Sequence, residues 1–229
     1  MKLSIVVPTL DEAAGIEATL AAVQPARRAG AEVIVVDGGS SDATRALAAP
    51  LADRVIESAR GRAAQMNAGA RVASGDALLF LHADTLLPAD AHAAVAAALD
   101  GGREWGRFDV AIAGGAAMLA VVAMLMNARS RWSGIATGDQ AMFATRAAFE
   151  AAGGFPEVPL MEDVALSKAL RRGSAPACLR ARVVTSGRRW ERGGTLRTIL
   201  LMWRLRLAFA LGADPHGLAR RYGVERTSG

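Results

Sequence analysis

Cysteine is almost missing from this chain: Cys178 is the only one in 229 residues, which excludes an internal disulfide framework. Lysine is nearly as scarce, since only Lys2 and Lys168 occur and arginine supplies the rest of the positive charge. The resulting net charge of +5 and sequence pI of about 10.5 raise the question of nucleic acid or an anionic membrane surface. Arginine bias beside abundant alanine is the mark of GC-rich coding, however. Aromatic residues make up only 5%, and no basic run is interleaved with them, so the stacking pattern of a nucleic-acid binder is lacking. The opening MKLSIVVPTL has no succession of basic, apolar and cleavage-site residues as in a secretory signal. With the lone cysteine, this gives the expectation of a cytoplasmic, bacterial-type protein. Two phosphate-binding signatures are missing as well: no G-x-x-x-x-G-K-[ST] occurs, and no G-x-G-x-x-G follows the first apolar run, which removes the main support for an ATPase or a dinucleotide dehydrogenase.

What remains is 52% hydrophobic, enough for one well-packed domain and too apolar for disorder. Short β-branched runs, LSIVVPT, EVIVVDGG, DRVIES and ALLFLHAD, alternate with alanine-rich stretches of helical spacing at roughly 12–29, 42–50, 61–73 and 88–99. Such alternation predicts an α/β fold whose central sheet is mostly parallel and flanked by helices. Ligands of such sheets bind at the carboxyl ends of the strands. Pro8, Thr9, Asp11 and Glu12 follow the first run, Asp37 to Asp42 the second, and His82 and Asp84 the fourth. Asp42, ahead of ATRALAA, reads as a helix cap. Asp37 and Asp84 read as functional, because acids gathered on one rim need a cation or hydrogen-bond donors to compensate them. The third loop brings donors: Arg60 and Arg62 open a helix that also holds Gln65 and Asn67, an arrangement suited to phosphate.

IVVPTLDEAAGI, VIVVDGGSSDAT, GRAAQMNAGA, FLHADT and MEDVALSKALRR occur in this order and resemble the landmarks of family 2 glycosyltransferases with the GT-A fold. GDQAMF, GGFPEVPLMEDVALSKALRR and RRWERGG resemble more narrowly the small bacterial branch of arsenosugar-biosynthesis or radical-SAM/selenodomain-associated glycosyltransferases. The similarity covers nearly the whole chain. It implies an inverting, non-processive, metal-dependent transfer of a sugar from a nucleotide sugar, most often a UDP-sugar, to a small-molecule or lipid-linked acceptor. Thr9 and Glu12 would line the nucleoside pocket, Asp37 would hold the base or ribose, and the segment with Arg60, Arg62, Gln65 and Asn67 would close over the nucleotide. Asp84 matches the last acid of the D-x-D metal motif, where Mg2+ or Mn2+ bridges the diphosphate; a single carboxylate suffices for Mg2+, which keeps several waters. His82 stands where the first acid is usual, and can ligate the metal, preferably Mn2+, or contact the ribose or a metal-bound water.

On the acceptor side Asp163 matches the presumed general base, with Glu162 supporting the acceptor pocket. Asp139 and Gln140, in TGDQAMF, are candidate hydrogen-bonding partners of the acceptor or donor sugar, and Arg189 and Trp190, in SGRRWERGG, of diphosphate and acceptor. Ser186 in the place of the usual glutamine argues against processive synthesis. The uncharged residues 110–126 lie at the lower edge of membrane-spanning length but read better as strand, turn and helix. TLRTILLMWRLRLAFALGA is basic and amphipathic, which leaves open peripheral membrane contact and packing or homodimer formation. The expected organisation is a GT-A domain at 1–190, split into a nucleotide half at 1–100 and an acceptor half at 101–190, with a helical extension at 191–229. Two other readings stand beside it: a non-catalytic nucleotide-sugar-binding or membrane-associated scaffold, and a sugar-nucleotide pyrophosphorylase, for which PTLDEAAG offers neither the glycine-rich loop nor the lysine.

Overall fold

A computed structural model describes residues 1–115, 117–188 and 194–222. Four apolar runs form the strands β1 (Leu3–Thr9), β2 (Glu32–Asp37), β3 (Arg54–Glu57) and β4 (Ala77–Phe80), and all of their pairings with one another are parallel. Every residue of β1, β2 and β4 is buried, as expected for strands covered on both faces. Beyond β4 the sheet becomes mixed. Among the described residues, strands β5 (Thr85–Leu86), β6 (Trp105–Ile112), β7 (Met142–Thr145) and β8 (Ala177–Thr185) complete an eight-stranded sheet in the order β3-β2-β1-β4-β7-β6-β8-β5. Here β7 is antiparallel to both β4 and β6, β6 and β8 are parallel, and β5 is antiparallel to β8.

Alternate residues of the central strands feed two cores. Ile5, Val7, Val33 and Val35 pack with Ile16, Leu20 and Val23 of α1 (Ile16–Arg28), while Val6, Ile34 and Val36 pack with Met66 of α3 (Arg62–Val72) on the opposite face. Gly69 sets the closeness of α3 to the sheet: a methyl group there would overlap Val6 and Val36. The short α2 (Thr44–Ala48) and α4 (Ala91–Asp100) complete the helices of the first half. Each starts two or three residues later than the sequence pattern predicts, because Asp42 and Asp90 sit in turns ahead of them.

Residues 110–126 divide between the end of β6 and α5 (Ala117–Ser133), and no described helix is long and apolar enough to cross a membrane. Asn127 of α5 holds the two elements together, accepting from the Val110 N–H and donating to the Val110 carbonyl, both at 2.9 Å. After α6 (Arg146–Ala151) and α7 (Glu162–Gly173), the chain ends its described part in α8 (Thr195–Ala210) and α9 (Pro215–Tyr222). Leu205 of α8 and Leu218 of α9 join Leu160, Met161 and Val164 in a third, smaller core. The helical extension is thus packed onto the start of α7, while its outer face, with Leu200, Trp203 and Leu207, stays exposed.

Candidate functional site

A cavity of about 740 Å3 opens at the carboxyl ends of β1 and β4. Its walls come from segments far apart in sequence. Thr9 and Glu12 arrive from the end of β1, Arg60, Arg62 and Gln65 from the start of α3, and His82 and Asp84 from the turn between β4 and β5. Asp139 and Glu162 close the other side, below Met202 of α8 and His216 and Tyr222 of α9. Asp163 opens instead into an adjoining recess of about 60 Å3, shared with Arg62, His82, Asp139, Glu162 and Arg206.

Among the described residues, three non-glycine residues adopt left-handed backbone conformations: Asp11 (φ 51°), Ala141 (φ 45°) and Met161 (φ 70°). Each borders a residue singled out from the sequence, namely Glu12, Gln140 and Glu162. Such conformations cost about 1–3 kcal/mol each and persist where the surroundings enforce them, so the loops around the cavity are held in place by tertiary packing.

Arg62 points its Nε at Glu162 Oε1, 3.2 Å away. Burial raises the Glu162 pKa, Arg62 opposes the rise and Asp163 adds to it; the net shift is upward. His82 directs Nδ1 at Asp139 Oδ1 over 3.4 Å. Burial disfavours the imidazolium, but the hydrogen bond and charge of Asp139, with Asp84 nearby, outweigh burial and the repulsion from Arg62, so the His82 pKa is raised. The Nε2 edge of the ring lies against Gly138, where a Cβ would overlap it. Asp163 is fixed by two backbone donors, the N–H of Gly138 at 2.7 Å and that of Val164 at 2.6 Å.

Several residues expected at the site are engaged by other parts of the protein in this structure. Asp37 is 0% exposed and accepts from the Gly39 N–H, the Ser40 N–H and the Ser40 hydroxyl; it shapes the DGGS turn behind Thr9 and does not reach the cavity wall. Asn67 clamps the backbone of Phe155 with two hydrogen bonds. Gln140 is buried, accepting from the Thr137 N–H and donating to Asn127. Gln65 does border the cavity, yet its amide is committed to the carbonyls of Thr9 and Val36 at 2.7 and 2.9 Å. Arg189 and Trp190 lie outside the described residues.

Arg188 is the residue that the sequence reading passed over. Its Nη2 lies 3.3 Å from Glu12 and 4.0 Å from Asp84, joining carboxylates at the exits of two neighbouring strands. The arginine pair in SGRRWERGG was its only signal. Burial, moderated by Arg188, raises the pKa of Glu12.

Among the described residues no group of three or more histidine, cysteine or acidic side chains forms a metal cage. His82 is a poor second ligand to Asp84, since one ring nitrogen faces Asp139 and the other packs on Gly138. Asp84 alone, half-buried in the cavity wall, fits the mode in which Mg2+ takes one or two carboxylates and completes its shell with waters and substrate phosphates.

Residues 4–134 match the family described as Glycosyl transferase family 2. Over 102 residues the chain is 41% identical to a PGL/p-HBAD biosynthesis glycosyltransferase of Mycobacterium tuberculosis, a match covering 41% of this chain and 40% of that protein. The chain therefore matches about two-fifths of the length of that relative. Among solved structures, Pyrobaculum calidifontis mannosyltransferase PcManGT in complex with GDP-Man and Mn2+ aligns with a TM-score of 0.65 and 23% identity, covering 90% of this chain and 60% of that one. S. aureus TarS in complex with UDP-GlcNAc aligns with a TM-score of 0.65 and 18% identity, covering 81% and 58%. Glucosyl-3-phosphoglycerate synthase from Mycobacterium tuberculosis, in complex with Mn2+, UDP and glucosyl-3-phosphoglycerate, gives 0.60 and 21%, covering 79% and 70%. These likenesses establish the GT-A fold. None of the relatives named here bears the arsenosugar or radical-SAM/selenodomain designation.

Proposed function

Since the chain belongs to glycosyl transferase family 2, we propose that it moves a sugar from a nucleotide-diphosphate sugar, a UDP-sugar in the first instance, to a hydroxyl-bearing acceptor with inversion at the anomeric carbon. The observation that supports this most directly is the gathering of Thr9, Glu12, Arg60, Arg62, Asp84 and Glu162 on the walls of one cavity, with Asp163 in the recess beside it. Thr9 and Glu12 border the nucleoside end. Arg60 and Arg62, at the amino end of α3, present guanidinium donors to the diphosphate, helped by the positive end of the helix.

Bound at Asp84 with the diphosphate, Mg2+ or Mn2+ would stabilise the negative charge that grows on the leaving group. Arg188, already between Glu12 and Asp84, turns toward the same charge. Asp163 takes the proton from the acceptor hydroxyl, its carboxylate aimed by the two backbone N–H groups. Glu162 holds Arg62 across the cavity mouth and separates the donor and acceptor sides.

Calorimetric titration with UDP, GDP and their common sugar conjugates, with and without Mg2+ or Mn2+, tests the donor half. Metal-dependent binding of one nucleotide, reduced at least tenfold in Asp84→Ala, is the expected result. No binding of any nucleotide under any metal condition would return the scaffold reading to the front. For the chemical step, Asp163→Asn is expected to bind the donor normally and to lose turnover by roughly 10²–10⁴-fold, the usual contribution of a general base.

A further inference from the structure

Helix α8 leaves one of its sides bare. Leu200, Trp203, Leu207 and, just beyond the helix, Leu211 follow one another at spacings of three and four residues, which lines them up along one face. All four are exposed, from 62% at Leu207 to 79% at Leu211. The covered side is a different one: Leu205 reaches the small core of Leu160, Met161 and Val164, and Met202 borders the cavity. Arg197 and Arg204, both exposed, run along one edge of the bare stripe, as their spacing from Leu207 and Leu211 requires.

The charge of this segment is of one sign. Residues 192–213 contain four arginines and no aspartate or glutamate, in a chain whose net charge is +5. A two-fold contact with a second copy would set Arg197 and Arg204 against their own counterparts, with no acid of the segment to offset them. An anionic surface suits them instead. A stripe of leucine and tryptophan edged by arginine is the composition of helices that lie in the boundary between lipid headgroups and acyl chains. Arginines at the edge reach lipid phosphates while their methylene stems stay on the apolar side. At 16 residues, with arginines along it, α8 fits this in-plane position and not a span.

We propose that α8 docks the protein on a membrane surface rich in anionic lipid, with Leu200, Trp203, Leu207 and Leu211 entering the headgroup boundary and Arg197 and Arg204 pairing with lipid phosphates. Docking of this kind depends on the bare face and its charge, not on the glycosyl-transfer reading. Because Met202 sets another side of the same helix on the cavity, docking holds the cavity wall about 10 Å, one helix diameter, from the headgroups.

The test mixes the full chain with vesicles of phosphatidylcholine, alone or with about a third of phosphatidylglycerol, and reads the bound fraction by flotation and by the blue shift of tryptophan emission. Binding is expected on the anionic vesicles at low salt, at least tenfold weaker on the neutral ones and weaker again as salt screens the arginines. The pair Leu200→Gln with Leu207→Gln, and separately the pair Arg197→Gln with Arg204→Gln, should each reduce it at least tenfold and leave the Tm unchanged, because these side chains are exposed. Trp203→Phe should still float and lose most of the blue shift. Equal binding to neutral vesicles, binding indifferent to both pairs of substitutions, or no binding by a chain that melts cooperatively would each overturn the proposal. A dimer in sedimentation equilibrium that the leucine substitutions take apart would give the face to a second copy instead. Vesicle binding by a protein that binds no nucleotide would keep the docking face and count against the nucleotide-sugar reading alone.

Discussion

Glu32 shows how a single buried carboxylate ties pH to stability. It accepts hydrogen bonds from the Ser4 hydroxyl at 2.6 Å and from the Ser74 N–H and hydroxyl, both at 2.8 Å. Burial by itself would raise its pKa, but these donors and Arg54 outweigh burial and the pKa is lowered. A depressed folded-state pKa means a contribution that is complete above the unfolded value of about 4.3 and is lost as the pH falls through the folded value. Glu32→Gln should therefore lower stability by about 2 kcal/mol at neutral pH, and the gap in Tm between the two proteins should close in the acid range below that value. A gap that persisted unchanged to low pH would remove the charge from the explanation. At the site, Gly138→Ala should displace the largely buried His82 ring from its place beside Asp139, and so cut activity and lower the Tm together. Sequence reading found His82 and Asp139 as separate candidates; their partnership was hidden because it depends on how β4 and β7 lie side by side. Asp37, Asn67 and Gln140 hold nearby backbone or side chains in this structure, contacts that the sequence does not disclose. A polar side chain at the end of a strand can serve a ligand or its own backbone, and residue type alone does not distinguish the two.

Among the elements, α3 and α8 have opposite relations to the cavity. The first is seated by Gly69 against Val6 and Val36, so Gly69→Ala should cost about 1–3 kcal/mol through overpacking and lift the arginines at the start of the helix out of position, which thermal unfolding and UDP titration would register together. The second is held by Leu205, 2% exposed, against Leu160, Met161 and Val164. Leu205→Ala should cost about 2–5 kcal/mol if α8 unfolds together with the domain, and much less than that if the helix detaches on its own; denaturant melting read at both far-ultraviolet and tryptophan signals separates these cases. The four parallel strands and their helices were legible because parallel burial leaves continuous apolar runs. The end of residues 110–126 as strand, turn and helix was legible too, from the paired glycines Gly114 and Gly115. The inner and outer faces of α8 were not, because arginine and leucine alternate on it and only its neighbours decide which leucines are covered.

For the molecule as a whole, the expected boundary at residue 100 falls within one continuous sheet. β4 pairs with β7, and β5, from the first hundred residues, pairs with the end of β8. Residues 1–100 produced alone should accordingly show no cooperative unfolding transition like that of the full chain, whatever nucleotide contacts they contain. The order of the strands also has a consequence for synthesis on the ribosome. β3, β2, β1 and β4 are complete once Phe80 has emerged, but the outer edge of β4, the apolar ALLF, must wait about 60 further residues for β7, a few seconds at translation rates of about 5–20 residues per second. During that interval the nascent chain presents a bare hydrophobic strand edge. Chaperone cover on the nascent chain, ending when Met142–Thr145 emerge, is what this strand order requires.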